Sequence, residues 1–437
     1  MSVKNWESNL RYFYNSRFTQ AIAEGLIGPF LPLFAFQLKA TKVMIGLLKT
    51  LPQLASLFMQ IIWSGLAEVV EKKKWLVVMG GIAWALMWIP IAYARTPGRL
   101  VFYVTFQSLL ASMAIPAWTA LLIKNSPSYK RGEIAGRLNR YSSIGSFFGN
   151  IIAGLMLNAY GFLPFLFYTI TFFGILSKLL FLPLKENSSK VSAKSMLDIR
   201  LNIGFRKNKK LLNLAIAVFS LKFAVFLPSP FFAIYIVTKL GSSFDVAVIA
   251  AIGTIVSILF YHSWGSLIDY LGRKTVILSC LIPISFIPFV YALAGHIAWI
   301  YLYTIIGSMS WAGFNLAEFA YLSDVVPEKR ISSHIAYYNL LTGVSIATAP
   351  FIGGLIASFT SIPTVFLIST IGRILSIYLF DRLEEKTGIK PQRLFNFNFE
   401  TFGLFERLDT FAATYSMAIE GVRKEVDKVR KKIKFHF

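Results

Sequence analysis

Gly265-Ser-Leu-Ile-Asp269-Tyr-Leu-Gly272-Arg273-Lys274 closes the apolar run 244–268, and Ser64-Gly-Leu-Ala-Glu68-Val-Val-Glu71-Lys72-Lys73 closes the run 43–67 at a position 201 residues earlier. The offset recurs. Gly28-Pro29-Phe30 returns 201 residues later as Ser229-Pro230-Phe231, and Gly145-x3-Gly149-Asn150-x2-Ala153-Gly154 returns 200 residues later as Ser345-x3-Ala349-Pro350-x2-Gly353-Gly354. Three matches at nearly one spacing mark an internal repeat that takes up most of the chain.

Apolar runs lie around 13–38, 43–67, 75–94, 100–123, 141–162, 163–184, 211–238, 244–268, 275–294, 297–323, 335–359 and 362–380. Each matches the roughly 20 residues of a membrane-spanning helix. The 437 residues are 56% hydrophobic and 15% charged, with a mean hydropathy of +0.61, against about 45–50% apolar and about 25% charged for a soluble domain. Disorder, a collagen-like fibre and a disulfide scaffold are excluded, and the one cysteine, Cys280, has no internal partner for a bridge. The first run is too long and too late for a cleaved signal peptide, so it reads as the first membrane helix. The expected fold is an all-α membrane protein with twelve transmembrane helices in two pseudo-symmetric six-helix bundles. The halves are expected at 1–184 and 211–382, joined by a cytoplasmic linker at 185–210 and followed by a cytoplasmic tail at 383–437.

Charge placement predicts the orientation. The loops after even-numbered runs and the two terminal segments hold 34 of the 44 Lys and Arg, whereas the opposite loops hold five: Lys39, Lys42, Arg95, Arg99 and Lys239. Cytoplasmic loops retain positive charge, so both termini are expected in the cytoplasm of a multi-pass cell-membrane protein. The net charge of +23 is then a topology signal that also suits anionic lipid, and nucleic acid is not expected as a partner.

Two six-helix halves carrying G-x-L-x-D-x-x-G-R-K after the second helix of a half resemble the major facilitator superfamily. The motif is complete at Gly265, Asp269, Gly272, Arg273 and Lys274; its first copy substitutes Ser64, Glu68 and Glu71. Gly145 to Gly154 is similar to G-x-x-x-G-P-x-x-G-G of the superfamily's antiporters, departing at Asn150 and Ala153. Gln107-Ser108 falls where proton-coupled exporters of the family carry Gln-Gly, but their preceding arginine is Val104 here. The resemblance implies that the first, fourth, seventh and tenth helices of the chain line a central cavity.

The chemistry of these residues follows from their surroundings. Asp269 at a helix end, with Arg273 and Lys274 beside it and Gly272 permitting a tight turn, reads as a gate latch, with Glu68, Lys72 and Lys73 as its counterpart. Gly145, Gly149, Gly154, Gly353 and Gly354, with Pro350, permit close helix packing. Ionisable groups inside apolar runs are costly and mark cavities or partners, which singles out Glu24, Lys222 and Glu318. The repeat offset puts Lys222 level with Ala21, so Glu24 and Lys222 are candidates to pair when a cavity closes. Gln107, Trp118, Trp311 and Asn315 would suit an amphipathic ligand on the same cavity helices. Lys178 and Arg373 are expected to snorkel to head groups, and His262 and His334 to be structural.

From Leu408 through Ala412, Tyr415, Ile419, Val422, Val426 and Val429 to Ile433 the apolar spacing alternates four and three. This predicts an amphipathic helix that lies on anionic lipid or pairs as a coiled coil. No phosphate loop, H-E-x-x-H, G-x-S-x-G or intramembrane aspartate pair occurs, so neither ATP drive nor an enzyme is expected, and no cofactor or metal. The reading is a monomeric secondary active transporter working by alternating access on a small solute, with proton-coupled export of an amphipathic compound as its specific form. An uptake symporter for a small metabolite and a non-transporting sensor or scaffold are the alternatives.

Overall fold

The computed structural model describes residues 3–126, 131–186, 208–326, 331–384, 415–417 and 419–420. All of its regular elements are helical. In chain order they are α1 (Val3–Ile27), α2 (Leu31–Gln37), α3 (Lys42–Val69), α4 (Lys73–Leu86), α5 (Trp88–Ala92), α6 (Pro97–Ala111), α7 (Ala114–Lys124), α8 (Arg131–Tyr160) and α9 (Pro164–Leu179). There follow α10 (Lys209–Phe226), α11 (Phe232–Tyr235) running into a π-helical turn at Ile236–Leu240, α12 (Ser243–Leu271), α13 (Arg273–Leu293), α14 (Ile297–Val325), α15 (Ile331–Phe359) and α16 (Ile362–Asp381).

Among the described residues ten helical stretches are long and apolar enough to cross a membrane, and Pro164–Leu179 is a shorter apolar helix. The run predicted at 211–238 is interrupted between α10 and α11, where Pro228 and Pro230 each lack the N–H that would continue the helix. Gly28-Pro29 breaks α1 from α2 in the same way, so the repeated Pro-Phe element is a repeated helix break. Helix starts carry ordinary caps: Thr41 accepts from the Met44 N–H at 3.3 Å and Thr96 from the Arg99 N–H at 3.4 Å. Gly272 turns between α12 and α13 with φ of +90°, a conformation that resists side chains. The first copy has Glu71 there without a positive φ, and makes its corner with extended backbone at Val70 and Lys72 instead.

Contacts group the chain into two compact units. Unit 1 comprises 1–201, 226–251 and 343–365; unit 2 comprises 202–225, 252–342 and 366–437. Compactness thus follows a different line from the sequence repeat, since stretches of the second half pack within unit 1. Unit 1 has a core around Phe13, Val77, Leu121 and Phe181. Unit 2 centres on Trp264, Cys280, Leu281, Phe314 and Phe380.

Lipid gives no hydrophobic incentive for helices to associate, so close van der Waals approach decides the packing. Within unit 1, a Cβ added to Gly145 would stand 2.3 Å from the Phe18 carbonyl oxygen and one on Gly149 2.3 Å from that of Ile22, so both glycines let α8 lie on α1. Gly154 faces Ala247, Gly353 faces the Leu227 carbonyl at 1.9 Å, and Gly354 faces that of Lys42 at 2.7 Å by the same measure. The Pro350 carbonyl meets Gly46 in turn, at 2.4 Å. Two hydrogen bonds reinforce this region: Lys42 Nζ to the Ala357 carbonyl at 2.5 Å, and the Phe351 N–H to Thr50 at 3.1 Å.

Candidate functional site

Unit 1 lines an open cavity of about 350 Å³ between α1, α4, α6, α7 and α9. Helix α1 contributes Ser16, Arg17, Gln20 and Glu24, whose spacing of three and four places them on one face. Helix α4 contributes Gly80, Gly81 and Trp84, α7 contributes Trp118 and Thr119, and α9 contributes Lys178. Arg17 Nη1 donates to Glu24 Oε1 at 3.0 Å, with both side chains more than a third exposed. Arg17 stands two helical turns before Glu24, so it reaches the carboxylate from the same helix. Trp118 is held edge-on to Phe13 and stacked on Phe181.

Unit 2 gathers Lys222, Glu318 and Tyr338. Lys222 Nζ lies 3.7 Å from Glu318 Oε2, the Tyr338 hydroxyl donates to Glu318 Oε1 at 2.5 Å, and both charged side chains are less than a fifth exposed. The Lys222 ammonium also lies 5.6 Å from the Trp311 ring centre and 5.8 Å from that of Phe314, a cation–π arrangement. In this structure Glu24 is therefore paired with Arg17 and Lys222 with Glu318.

At the end of α12, Arg273 lies 3.7 Å from Asp269 and 3.2 Å from Asp324, the latter on α14. The Asp269 side chain is 80% exposed, so solvent screens it more than Asp324, the more sheltered partner. Lys274 pairs with Asp381 of α16 at 3.6 Å. In the first copy the Glu68 side chain lies outside the described residues. There Glu186 accepts from the backbone N–H groups of Lys73 and Lys74, at 3.1 and 2.9 Å, and so caps α4. Lys73 Nζ donates to the Ala67 carbonyl, while Lys72 is exposed.

Other predicted residues are placed as follows. Gln107 is buried and gives its amide to the Trp84 carbonyl at 2.7 Å, tying α6 to α4; it is absent from the cavity lining. Asn315 is exposed. The snorkelling expected of Lys178 and Arg373 is corrected: they are only 6% and 2% exposed. Arg373 finds acceptors inside unit 2, at the Ile284 carbonyl (2.8 Å) and Ser369 (3.2 Å), which removes its need for head groups. His334 is buried, and the side chain of His262 lies outside the described residues. Of the predicted tail helix, residues 415–417 and 419–420 are described and helical. Tyr415 is buried, edge-on to Trp264 at 5.7 Å, with its hydroxyl against that of Ser310.

Sequence reasoning passed over Arg17, Gln20 and Trp84. A signal existed for the first two, which share a helical face with Glu24; Trp84 needed the structure.

The sequence model described as Major Facilitator Superfamily matches this chain twice, over residues 14–260 and 214–421. The chain is 25% identical over 408 residues to the multidrug resistance protein MdtG of Salmonella paratyphi A (strain ATCC 9150 / SARB42), covering 89% of this chain and 97% of that protein. Among solved structures, the nucleoside transporter NupG has a TM-score of 0.68 at 16% identity, over 86% of this chain and 98% of that one. A bacterial homolog to the human lysosomal transporter Spinster, in an inward-facing and occupied conformation, has a TM-score of 0.65 at 12% identity, over 96% and 98% of the two chains.

Proposed function

The chain belongs to the major facilitator superfamily, a family of membrane transporters rather than enzymes, and from that premise we propose that it exports an amphipathic organic solute by alternating access in exchange for protons. The observation that carries this reading is the unit 1 cavity, where Arg17, Glu24 and Lys178 share one space with Trp84 and Trp118. Charged groups fix a solute's polar end and indole faces accept its apolar body. The likeness to a multidrug resistance protein supports export, at the level of 25% identity.

Glu24 and Glu318 are the proposed proton carriers, one in each unit. Each is held by a cation, at 3.0 and 3.7 Å, so protonation releases the cation, which is a local change able to bias a conformational equilibrium. The contacts of Gly46, Gly154, Gly353 and Gly354 are the seals that part when the carrier opens on the side of Lys42. Asp269, Arg273 and Lys274, joined by Asp324, latch the cytoplasmic side in that outward-open state. The protein works as a monomer among lipids, with both termini in the cytoplasm.

The test is flux in proteoliposomes with a fluorescent aromatic amphiphile and an imposed pH gradient. Accumulation against the solute gradient is expected when the proton gradient drives exchange. Glu24→Gln should abolish that accumulation yet leave solute–solute exchange, which needs no net protonation cycle. Wild-type accumulation in the variant would reassign Glu24 to a structural role and leave Glu318 as the carrier.

A further inference from the structure

Lys178 is a buried cation whose neighbouring carboxylate, Glu24, is already taken by another cation. It is 6% exposed, lines the unit 1 cavity, and makes no ion pair or side-chain hydrogen bond among the described residues. The one carboxylate in the cavity lining, Glu24, is held by Arg17 at 3.0 Å. A buried ammonium in a membrane span is costly unless something compensates it.

Its position is built in. A Cβ on Gly81 would fall 1.9 Å from Lys178 Cε and 2.5 Å from Cδ, so the lysine stem occupies a slot that exists because residue 81 has no side chain. On the same helix, Ser177 donates to the Ser16 carbonyl at 2.9 Å, and Thr171 donates to the Ala85 carbonyl at 3.1 Å, which fixes α9 against α1 and α4. A second lining group is also unsatisfied: the Gln20 side-chain oxygen is buried with no hydrogen-bond partner among the described residues. Two aromatic walls, Trp84 and Trp118, complete the space.

We propose that this cavity is an anion site: Lys178, with Arg17 in the same lining, takes the carboxylate or sulfonate head of a small aromatic amphiphile, and Trp84 and Trp118 hold its apolar body. The proposal rests on the carrier reading and names its substrate class. The lining carries Arg17 and Lys178 against Glu24 alone, so one positive charge remains for an anion. A cationic solute would face Lys178 and would have to displace Arg17 from Glu24. The volume lies near the lower end of the roughly 300–1,000 Å³ of small-molecule pockets, which favours a compact ligand.

The experiment uses the full chain in detergent and three probes with one aromatic body: 2-naphthoate, the neutral 2-naphthamide and the cationic 2-naphthylmethylamine. Calorimetric titration is expected to show naphthoate binding at least about tenfold tighter than either of the others, which is about 1.4 kcal/mol. Lys178→Gln should erase that preference, and a wild-type size-exclusion profile certifies the fold of the variant. Lys178→Arg should keep the preference, and Gly81→Ala, which retains the charge but fills its slot, should reduce it. Equal affinity for the three probes, no naphthoate binding, or a preference that survives Lys178→Gln would overturn the site. Flux separates the two ideas. Movement of the probes through proteoliposomes without anion preference removes the anion site and leaves the carrier standing; naphthoate binding without movement of any probe does the reverse.

Discussion

Tyr338 donates its hydroxyl to Glu318 at 2.5 Å, and the carboxylate's other oxygen faces Lys222 at 3.7 Å. Each of Glu318's oxygens thus has a partner of its own, on α15 and α10. The cluster links three helices of unit 2 through one carboxylate.

Tyr338→Phe should therefore lower stability by about 0.6 kcal/mol, the average for side-chain hydrogen bonds between membrane helices, and by no more than about 1.7. Lys222→Met should cost stability too, by leaving Glu318 without its cation, and Glu318→Gln added to it should restore part of the loss. Thermal unfolding in detergent measures Tyr338→Phe, and the same measurement on Lys222→Met, Glu318→Gln and the double variant gives the coupling; strict additivity would dissolve the cluster.

Arg273 has one exposed partner, Asp269, and one sheltered partner, Asp324. An exposed ion pair is worth about 0.2–1 kcal/mol, so Asp269→Asn should change flux by less than about fivefold. Asp324→Asn should slow it more. Equal effects in a proteoliposome assay would return the latch to Asp269.

Gly353 lies with its Cα so near the Leu227 carbonyl that an added methyl would stand 1.9 Å from the oxygen. Gly353→Ala should destabilise by about 1–3 kcal/mol through overpacking. Gly98→Ala is the control, since nothing lies within 4 Å of its Cβ position. Size-exclusion profiles and melting temperatures of the two variants decide the matter.

Tyr415 covers Trp264, which with Cys280 crowds Gly313. Cys280 is buried and is the chain's one cysteine. Tyr415→Ala should speed its reaction with a maleimide, read by mass. An unchanged rate would mean that the tail residue does not shield this core in solution.

The helical fold, the repeat and the turn at Gly272 were legible because each is a property of neighbouring residues: span length, offset, and a φ that one residue type tolerates. The apolar windows showed where helices form, whereas the breaks at Pro29 and Pro230, inside runs read as continuous, came from the structure. The same local logic found Glu24, Lys222 and Glu318, because a charge inside an apolar run is visible without coordinates. Their partners were a different matter. Glu318 takes Lys222 and Tyr338, 96 and 20 residues away, Arg373 turns inward to the Ile284 carbonyl, and Lys178 fills the gap beside Gly81. A long flexible side chain has several acceptors or cavities within reach, and helix periodicity gives its face but not the neighbour across it. Tertiary packing alone made that choice, by setting which backbones approach closely enough to leave one cation paired, another hydrogen-bonded and a third facing an open cavity.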